Sequence, residues 1–197
     1  MKLRSEKYWN ERYKEGRIGW DLGGPSAPLK AYLDQIDDKD IRLLIPAGGS
    51  NYDAQYAHQI GIQDVHVVDV SPIALDLFAE RCPDFPKDNI HVGNFFSHEE
   101  KYDLILEQTF FCAIDYSLRP EYAKKIHSLL NEGGTLAGLW FDFPFTKATD
   151  NPPLGGSLDE YLGYFEPYFE IKTFERCYNS AEEKREGKEL FGIMKKK

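Results

Sequence analysis

Cysteine is scarce: Cys82, Cys112 and Cys177 are the only three in 197 residues. Their odd number and wide spacing give neither a disulfide framework nor the paired ligands of a zinc site, and they suit a reducing compartment. Long hydrophobic runs are missing as well. Nothing approaches the ~20 apolar residues of a membrane span, and the polar stretch 1–7 has no apolar segment behind it. Neither a signal peptide nor a membrane partner is expected, and the expected location is cytoplasmic. Positive charge is in deficit, 24 Lys and Arg against 33 Asp and Glu. The resulting net charge of −9 repels phosphate backbones and argues against nucleic acid as a partner. The five histidines, His58, His66, His91, His98 and His127, show no metal-ligand spacing, so no metal is expected. Lys195, Lys196 and Lys197 read as a solvated tail.

What is present is a globular composition, 42% hydrophobic and 29% charged, at a length that one domain over 1–197 can fill. The stretch Ile41 to Ser71 organises it. A branched apolar run, Ile41 to Ile45, is too short for a helix and predicts a buried strand. Pro46-Ala47-Gly48-Gly49-Ser50-Asn51 turns the chain, Tyr52 to Gln59 can be helical, and a second strand, Val65 to Val70, carries Asp69. Strand, glycine turn, helix, strand, with an acid about 20 residues after the glycines, predicts a nucleoside-containing ligand at the carboxyl end of a parallel sheet.

Around this unit the pattern stays α/β. Residues 5–16 predict a helix capped by Ser5 and stopped at Gly16, with Trp9 and Tyr13 four apart on one face. Trp20 sits in a glycine-rich loop, and Pro28 to Ile36 predicts a short amphipathic helix. Ser71-Pro72 opens a helix ending before Pro83. Asn89–Val92, Tyr102–Leu106 and Thr135–Trp140 predict three more strands, with a helix from Pro120 to about Leu130 stopped by residues 131–134. Residues 143–156 form a Pro/Gly-rich loop, Ser157 to Glu160 a capping box, and Phe169–Tyr178 and Glu189–Met194 a closing pair of strands that makes an antiparallel edge. Residues 182–187 read as a solvated turn. Alternation of this kind predicts an open α/β sheet.

The glycine turn lacks the third glycine of G-x-G-x-x-G, and no G-x-x-x-x-G-K-[ST] occurs, so a bound phosphate is unsupported. A nucleoside cofactor without phosphate, such as S-adenosylmethionine, relaxes that need. Its sulfonium would be attracted to aromatic faces by ~0.5–2 kcal/mol each, and Trp9, Tyr13 and Trp20 are candidates. Asp53 could face its amino-acid end and Asn94 its adenine.

The segments LLIPAGGSNYDAQYA, VVDVSPIAL, GNFF and YDLILEQTFFCAI resemble the successive motifs of the thiopurine S-methyltransferase family, closest to its halide and thiol methyltransferase branch. YWNERYKEGRIGWDLGGPSAPL resembles that family's N-terminal cap, and RPEYAKKIHSLLNEGG its helix before the fifth strand. The resemblance implies a Rossmann-like class I methyltransferase fold: a mostly parallel seven-stranded sheet with an antiparallel C-terminal strand, an N-terminal cap over 1–36 and a core over 41–197. It implies S-adenosylmethionine as cofactor and a small-molecule methyl acceptor, in a monomer or weak homodimer. Carried over by position, Trp9, Tyr13 and Trp20 would pack on the cofactor, Gly48 would approach its methionine portion, and Asp69 would take the ribose hydroxyls. Val70 would lie near the adenine, with Asn94 and Phe95 at its edge, and Glu107 and Gln108 would stand beside the reacting methyl. The family's P-G-C-G-x-G reads Pro46-Ala47-Gly48-Gly49-Ser50-Asn51 here, Asn94 stands where an aspartate is common, and Gln108 replaces a tyrosine or arginine.

In-line attack on a sulfonium methyl needs alignment and a desolvated nucleophile more than an acid or base. A thiol, hydrosulfide or halide is the expected acceptor. A neutral thiol would need a base, for which Glu107, Asp115 and Asp142 are the candidates. Cys112 reads as a small core residue rather than a nucleophile, Phe110 and Phe111 as core or pocket wall, Trp140 and Asp142 as ordinary strand-end packing, and Arg119 as a surface residue. Two other readings stay open: a dinucleotide-dependent oxidoreductase, and a cofactor-binding protein of this fold with another acceptor or no catalysis.

Overall fold

The structure, a computed structural model, describes residues 4–144, 151–180 and 185–197. Seven strands, β1 (Arg42–Pro46), β2 (Asp64–Asp69), β3 (Ile90–Val92), β4 (Tyr102–Gln108), β5 (Leu130–Phe141), β6 (Phe169–Arg176) and β7 (Glu189–Lys196), form one sheet of order β3-β2-β1-β4-β5-β7-β6. Strands β1 to β5 pair in parallel, and β7 runs antiparallel to both β5 and β6. The chain steps outward from β1 to β3 and returns to β4, so the crevice at the carboxyl ends of β1 and β4 is the topological switch point where open α/β sheets bind ligands.

Both faces of the central strands are covered, which is why their sequences run apolar without a break. Leu43, Ile45, Leu104 and Leu106 pack on one side with Leu29 and Leu33 of α2 (Ala27–Leu33), Ala54 of α3 (Tyr52–Gln59) and Phe78 of α4 (Pro72–Arg81). Leu44, Ile105 and Leu136 pack on the other with Tyr122 and Ile126 of α5 (Arg119–Leu129) and Phe165 of α6 (Leu158–Phe165). Each such side chain stabilises the fold by about 1.5–3 kcal/mol on burial. Truncating a fully buried one such as Leu44 to alanine would cost about 2–5 kcal/mol.

Local signals place the helix starts. Ser5 caps α1 (Glu6–Lys14), accepting from Tyr8 N at 3.3 Å. Ser71 caps α4 from Ala74 N at 3.2 Å with Pro72 in the first turn, and Ser157 caps α6 from Glu160 N at 3.3 Å.

The closing pair β6 and β7 makes the antiparallel edge as expected; β7 lies between β5 and β6, because β6 leads outward and the chain turns back to fill the gap beside β5. Three expectations change. Residues 131–134 do not separate helix from strand but lie within β5, which starts at Leu130 and slips register between its pairing with Tyr102 and with Leu104. Lys195 and Lys196 belong to β7, where Lys196 meets Glu132 at 2.8 Å and the carbonyl of Leu130 at 3.0 Å, so they are not a loose tail. Of the turn expected at 182–187, residues 182–184 lie outside the described residues. Arg185 is 4% exposed, ion-paired with Glu189 at 3.2 Å, and is not solvated.

Candidate active site

The loop after β1 has a left-handed backbone at Ala47 (φ 46), Gly49 (φ 59) and Asn51 (φ 52). Ala47 and Asn51 are the two positions where the family pattern prefers glycine. Asn tolerates this region, and Ala accepts it at a cost of ~1–2 kcal/mol. The turn keeps its glycine-like shape because neighbours hold it. Asn51 Nδ2 donates to the Gly49 carbonyl at 2.8 Å, and Ala47 N donates to the Val68 carbonyl at 2.7 Å. The Arg81 guanidinium donates to the Ser50 carbonyl and lies 4.1 Å from the Tyr52 ring centre. The two glycines serve different ends. A Cβ on Gly48 would meet Asn51 Oδ1 at 2.5 Å and Ile45 Cγ2 at 2.8 Å, so packing demands that glycine. A Cβ on Gly49 would meet Tyr13 Oη at 2.8 Å and Trp20 Nε1 at 2.9 Å, where the N-terminal cap closes over the turn.

Polar links fix the cap. Ser71 Oγ donates to Asn10 Oδ1 at 2.7 Å, Ser50 to Asp21, and Ser26 N to Asp53 Oδ1 at 3.0 Å. Arg185 donates to the Trp20 carbonyl at 2.7 Å, tying the cap to the C-terminal hairpin. Trp20 meets Trp9 edge-to-face at 5.4 Å and Tyr13 at 5.8 Å.

Under this roof lies a cavity of about 500 Å³. Its floor is Ala47, Gly49, Val68, Asp69, Val70, Gly93 and Phe95, all at the carboxyl ends of β1, β2 and β3; its roof includes Trp9, Tyr13 and Trp20. Asp69 is 8% exposed and accepts from Ser71 N at 2.8 Å. Burial pushes its carboxyl up to about 6, opposed by backbone N–H donors of Ser71, Gly49 and Val70. The other end is walled by Thr109, Phe110, Cys112, Ile114, Phe141, Phe143, Pro152 and Pro153. Thr109 there has φ 64, strained for a β-branched residue and of the kind that gathers at functional sites. Among the described lining residues Asp69 is the only carboxylate, whereas Arg4, Arg12, Arg17, Arg185 and Lys188 are cationic.

The acceptor-side wall rests on two buried polar hubs. Glu107 is fully buried; its Oε1 accepts from Phe110 N at 2.8 Å and Phe111 N at 2.9 Å, and Tyr122 Oη donates to its Oε2. Burial raises it to about 7 despite those donors. Arg119, expected at the surface, is fully buried. It reaches Glu160 at 2.9 Å and the carbonyls of Leu154 and Gly155 at 3.1 and 2.9 Å, and packs 3.9 Å from the Tyr116 ring centre. Its position before Pro120 carries no sign of this; its hydrogen-bond partners come from 35 to 41 residues downstream.

Trp9, Tyr13, Trp20, Asp69, Val70 and Phe95 thus meet at one cavity. Gly48, Asn94, Glu107 and Gln108 do not line it. Asn94 Oδ1 accepts from Phe96 N at 3.0 Å, and Glu107 turns into the protein to hold the Phe110–Phe111 backbone. Asp53 is 5% exposed and holds Ser26, away from the cavity; Asp115 caps Ser117, and Asp142 pairs with Arg176. Trp140 is 2% exposed in the core. Cys112 lines the cavity, but burial and then Glu107 push its thiol up to about 12, so it stays neutral and is no nucleophile. The sequence reading missed Gly49, Gly93, Thr109, Arg185 and Lys188. Gly49 was visible as the second glycine of the turn; Arg185 and Lys188 were hidden in a charge-rich stretch.

A glycine turn at the switch point, a buried acid ending the second strand and a lid of rings define a class I S-adenosylmethionine-dependent methyltransferase. The chain belongs to the thiopurine S-methyltransferase (TPMT) family, whose sequence profile matches residues 4–196. It is 31% identical over 168 residues to "Probable thiol methyltransferase 2" of Arabidopsis thaliana, across 82% of this chain and 72% of that one. It is 30% identical over 198 residues to thiocyanate methyltransferase 1 of Brassica oleracea, across 95% and 84%. Among solved structures, Burkholderia thailandensis 1,6-didemethyltoxoflavin-N1-methyltransferase superposes with a TM-score of 0.76 at 17% identity, covering 100% of this chain and 92% of that one. A TehB-like methyltransferase of Corynebacterium glutamicum gives 0.66 at 17% identity, covering 98% of each. No helix among the described residues is long and apolar enough to cross a membrane.

Proposed function

We propose that this chain methylates a small, anionic, soft nucleophile, a thiolate, hydrosulfide or halide, at the walled end of the cavity. The observation that carries the reading is the charge pattern: among the described residues, five cationic side chains and one carboxylate line the cavity of a protein whose net charge is −9. The residues fit the cofactor. The Tyr13 hydroxyl is buried without a hydrogen-bond partner among the described residues, and Asp69 accepts from the backbone N of Ser71 and from no described side chain. Asp69 would hold the ribose hydroxyls, Val70 and Phe95 the adenine, and Trp9, Tyr13 and Trp20 the charged sulfur. When bound, S-adenosylmethionine supplies an electrophilic methyl group. The chain's own residues do the rest by placement. Phe110, Phe141 and Phe143 exclude water from the acceptor, which strengthens its interactions and strips its hydration. Arg4, Arg12 and Lys188 raise the local concentration of anions, while Arg185 is paired with Glu189. Among the described lining residues only Asp69 is a carboxylate, and it belongs to the floor rather than the wall, so the acceptor enters already ionised. Glu107 supports the wall through Phe110 and Phe111.

A headspace assay for methyl iodide and methanethiol, made from iodide and hydrosulfide, tests this, with aryl thiolates run beside them. Turnover should follow the ionised fraction of each thiol as pH rises. Silence with all of them, while S-adenosylhomocysteine still binds, would defeat the acceptor class and leave only the cofactor site. The relatives named for thiol and thiocyanate methyl transfer support this acceptor class, since their names fit a soft sulfur nucleophile.

A further inference from the structure

Spacing along the chain hides a cluster of histidines that the sheet brings together outside the cavity lining. His66 on β2, His91 on β3 and Glu100 ahead of β4 each offer one donor atom within 4.8 Å of the other two. None of them lines the methyl-transfer cavity. We propose that His66, His91 and Glu100 bind one zinc-class divalent cation, with water in the fourth position, and that this ion staples the short edge strand β3 to β2.

The arrangement has the parts such a site needs. Asp64 Oδ1 lies 2.8 Å from His66 Nε2, closer than Arg42 Nε at 3.3 Å, so in the ligating tautomer Nε2 donates to the carboxylate and leaves Nδ1 its lone pair. That Nδ1 faces His91 Nε2 at 2.9 Å, and His91 Nε2 faces Glu100 Oε1 at 3.9 Å. A single proton can bridge the two imidazoles but cannot close the longer gap to Glu100. Ligands about 2.0–2.1 Å from a tetrahedral zinc lie about 3.4 Å apart, so the imidazole pair opens and the carboxylate closes by about half an ångström each. Arg42 holds the other oxygen of Glu100 and also lies 3.3 Å from His66 Nε2. Asp64, Glu100 and Arg42 together leave the site one negative charge, suited to a dication beside neutral imidazoles. His66 is 4% exposed at its side chain, and the ion would reach it past His91 (22%) and Glu100 (40%). The mechanical role follows from β3, which is three residues long and pairs only with β2. Two nitrogen ligands plus a carboxylate select zinc over magnesium or calcium, which prefer all-oxygen sites.

The test uses the full chain, stripped with a chelator and titrated with zinc chloride. At a hundredfold excess over the dissociation constant the melting temperature should rise by about 5–10 °C, with one zinc bound per chain. Magnesium should give no rise, and cobalt should show the visible bands of a four-coordinate ion. His91→Ala and Glu100→Gln should each abolish the rise, whereas His127→Ala, on α5, should keep it. If His91→Ala does not fold, Glu100→Gln alone decides. No rise with zinc, or a rise that survives Glu100→Gln, overturns the proposal; the latter would assign the ion to the surface or to the free cysteines.

Discussion

The two ends of the cavity are built in different ways. The end under the cap comes from Ala47, Gly49, Asp69, Val70, Gly93 and Phe95, within one stretch of about 50 residues, closed by a cap that precedes it directly. The walled end gathers Arg4, the segment after β4, the end of β5, the loop beyond it and the C-terminal hairpin, and hangs on Arg119 and Glu107, neither of which lines it. The first end is built from local structure, and the second from long-range contacts that can change without disturbing the first.

The largest test of that division is Arg119→Ala. Glu160 keeps 30% exposure, but the carbonyls of Leu154 and Gly155 lose their buried donor at about 1–3 kcal/mol each, which in a chain of this size lowers the melting temperature by about 10 °C. Arg119→Lys should restore little, because a point charge cannot span Glu160 and two carbonyls. Calorimetry reads both, and S-adenosylhomocysteine should still bind the folded fraction. If affinity falls with stability, the two ends are not separable.

Asp69→Ala comes next. Hydrogen bonds to a charged group contribute about 1.5–3 kcal/mol, so isothermal titration with S-adenosylhomocysteine should show about 100-fold weaker binding. The same carboxyl sets the pH response. Binding should weaken as pH falls through about 6, where it takes up its proton, and Asp69→Asn should flatten that profile. For stability the sign is opposite. Folded Asp69 keeps a proton that the unfolded chain loses near pH 4, so its contribution is full below about pH 4 and is lost as pH rises through about 6.

Trp20→Ala has a smaller effect. A cation–ring contact contributes ~0.5–2 kcal/mol, so affinity for charged S-adenosylmethionine should fall about 3–30-fold, and more than for neutral S-adenosylhomocysteine. Equal losses would mean that Trp20 only packs. Glu107→Gln should matter least. Its amide oxygen can still accept from Phe110 and Phe111, so stability should change by about 1 kcal/mol and kcat by no more than a few-fold. A collapse of kcat in a stable protein would return Glu107 to the reacting methyl.

Legibility follows the same line. Asp69, Trp9, Tyr13 and Trp20 meet at the cavity as the sequence reading placed them, because strand, turn and helix patterns fix a residue's place within its own unit; Trp9 and Tyr13 fall at helical spacing and Trp20 in a glycine-rich loop. Glu107, expected beside the reacting methyl, lies outside the lining: its apolar neighbours announce a buried strand but not which way the carboxyl turns. Asn94 was assigned to adenine, yet its side chain closes a local turn, a competition that short polar residues often settle in favour of the backbone. Arg119 and Arg185 look like surface charges in sequence, since arginine is rarely buried unless paired and the pairing partners are distant.

Residue patterns along the chain gave the open α/β sheet, a ligand at its carboxyl end and the acid that ends β2, because each depends on residues near one another in the chain; the aromatic cap came from the family resemblance. Tertiary structure alone decided that β7 enters between β5 and β6, that cations outnumber carboxylates among the described residues around the cavity, that buried Arg119 and Glu107 hold its far wall, and that β2 and β3 bring His66 and His91 together at the sheet's edge. Those features depend on contacts between segments tens of residues apart, and no local pattern encodes which distant side chains will meet.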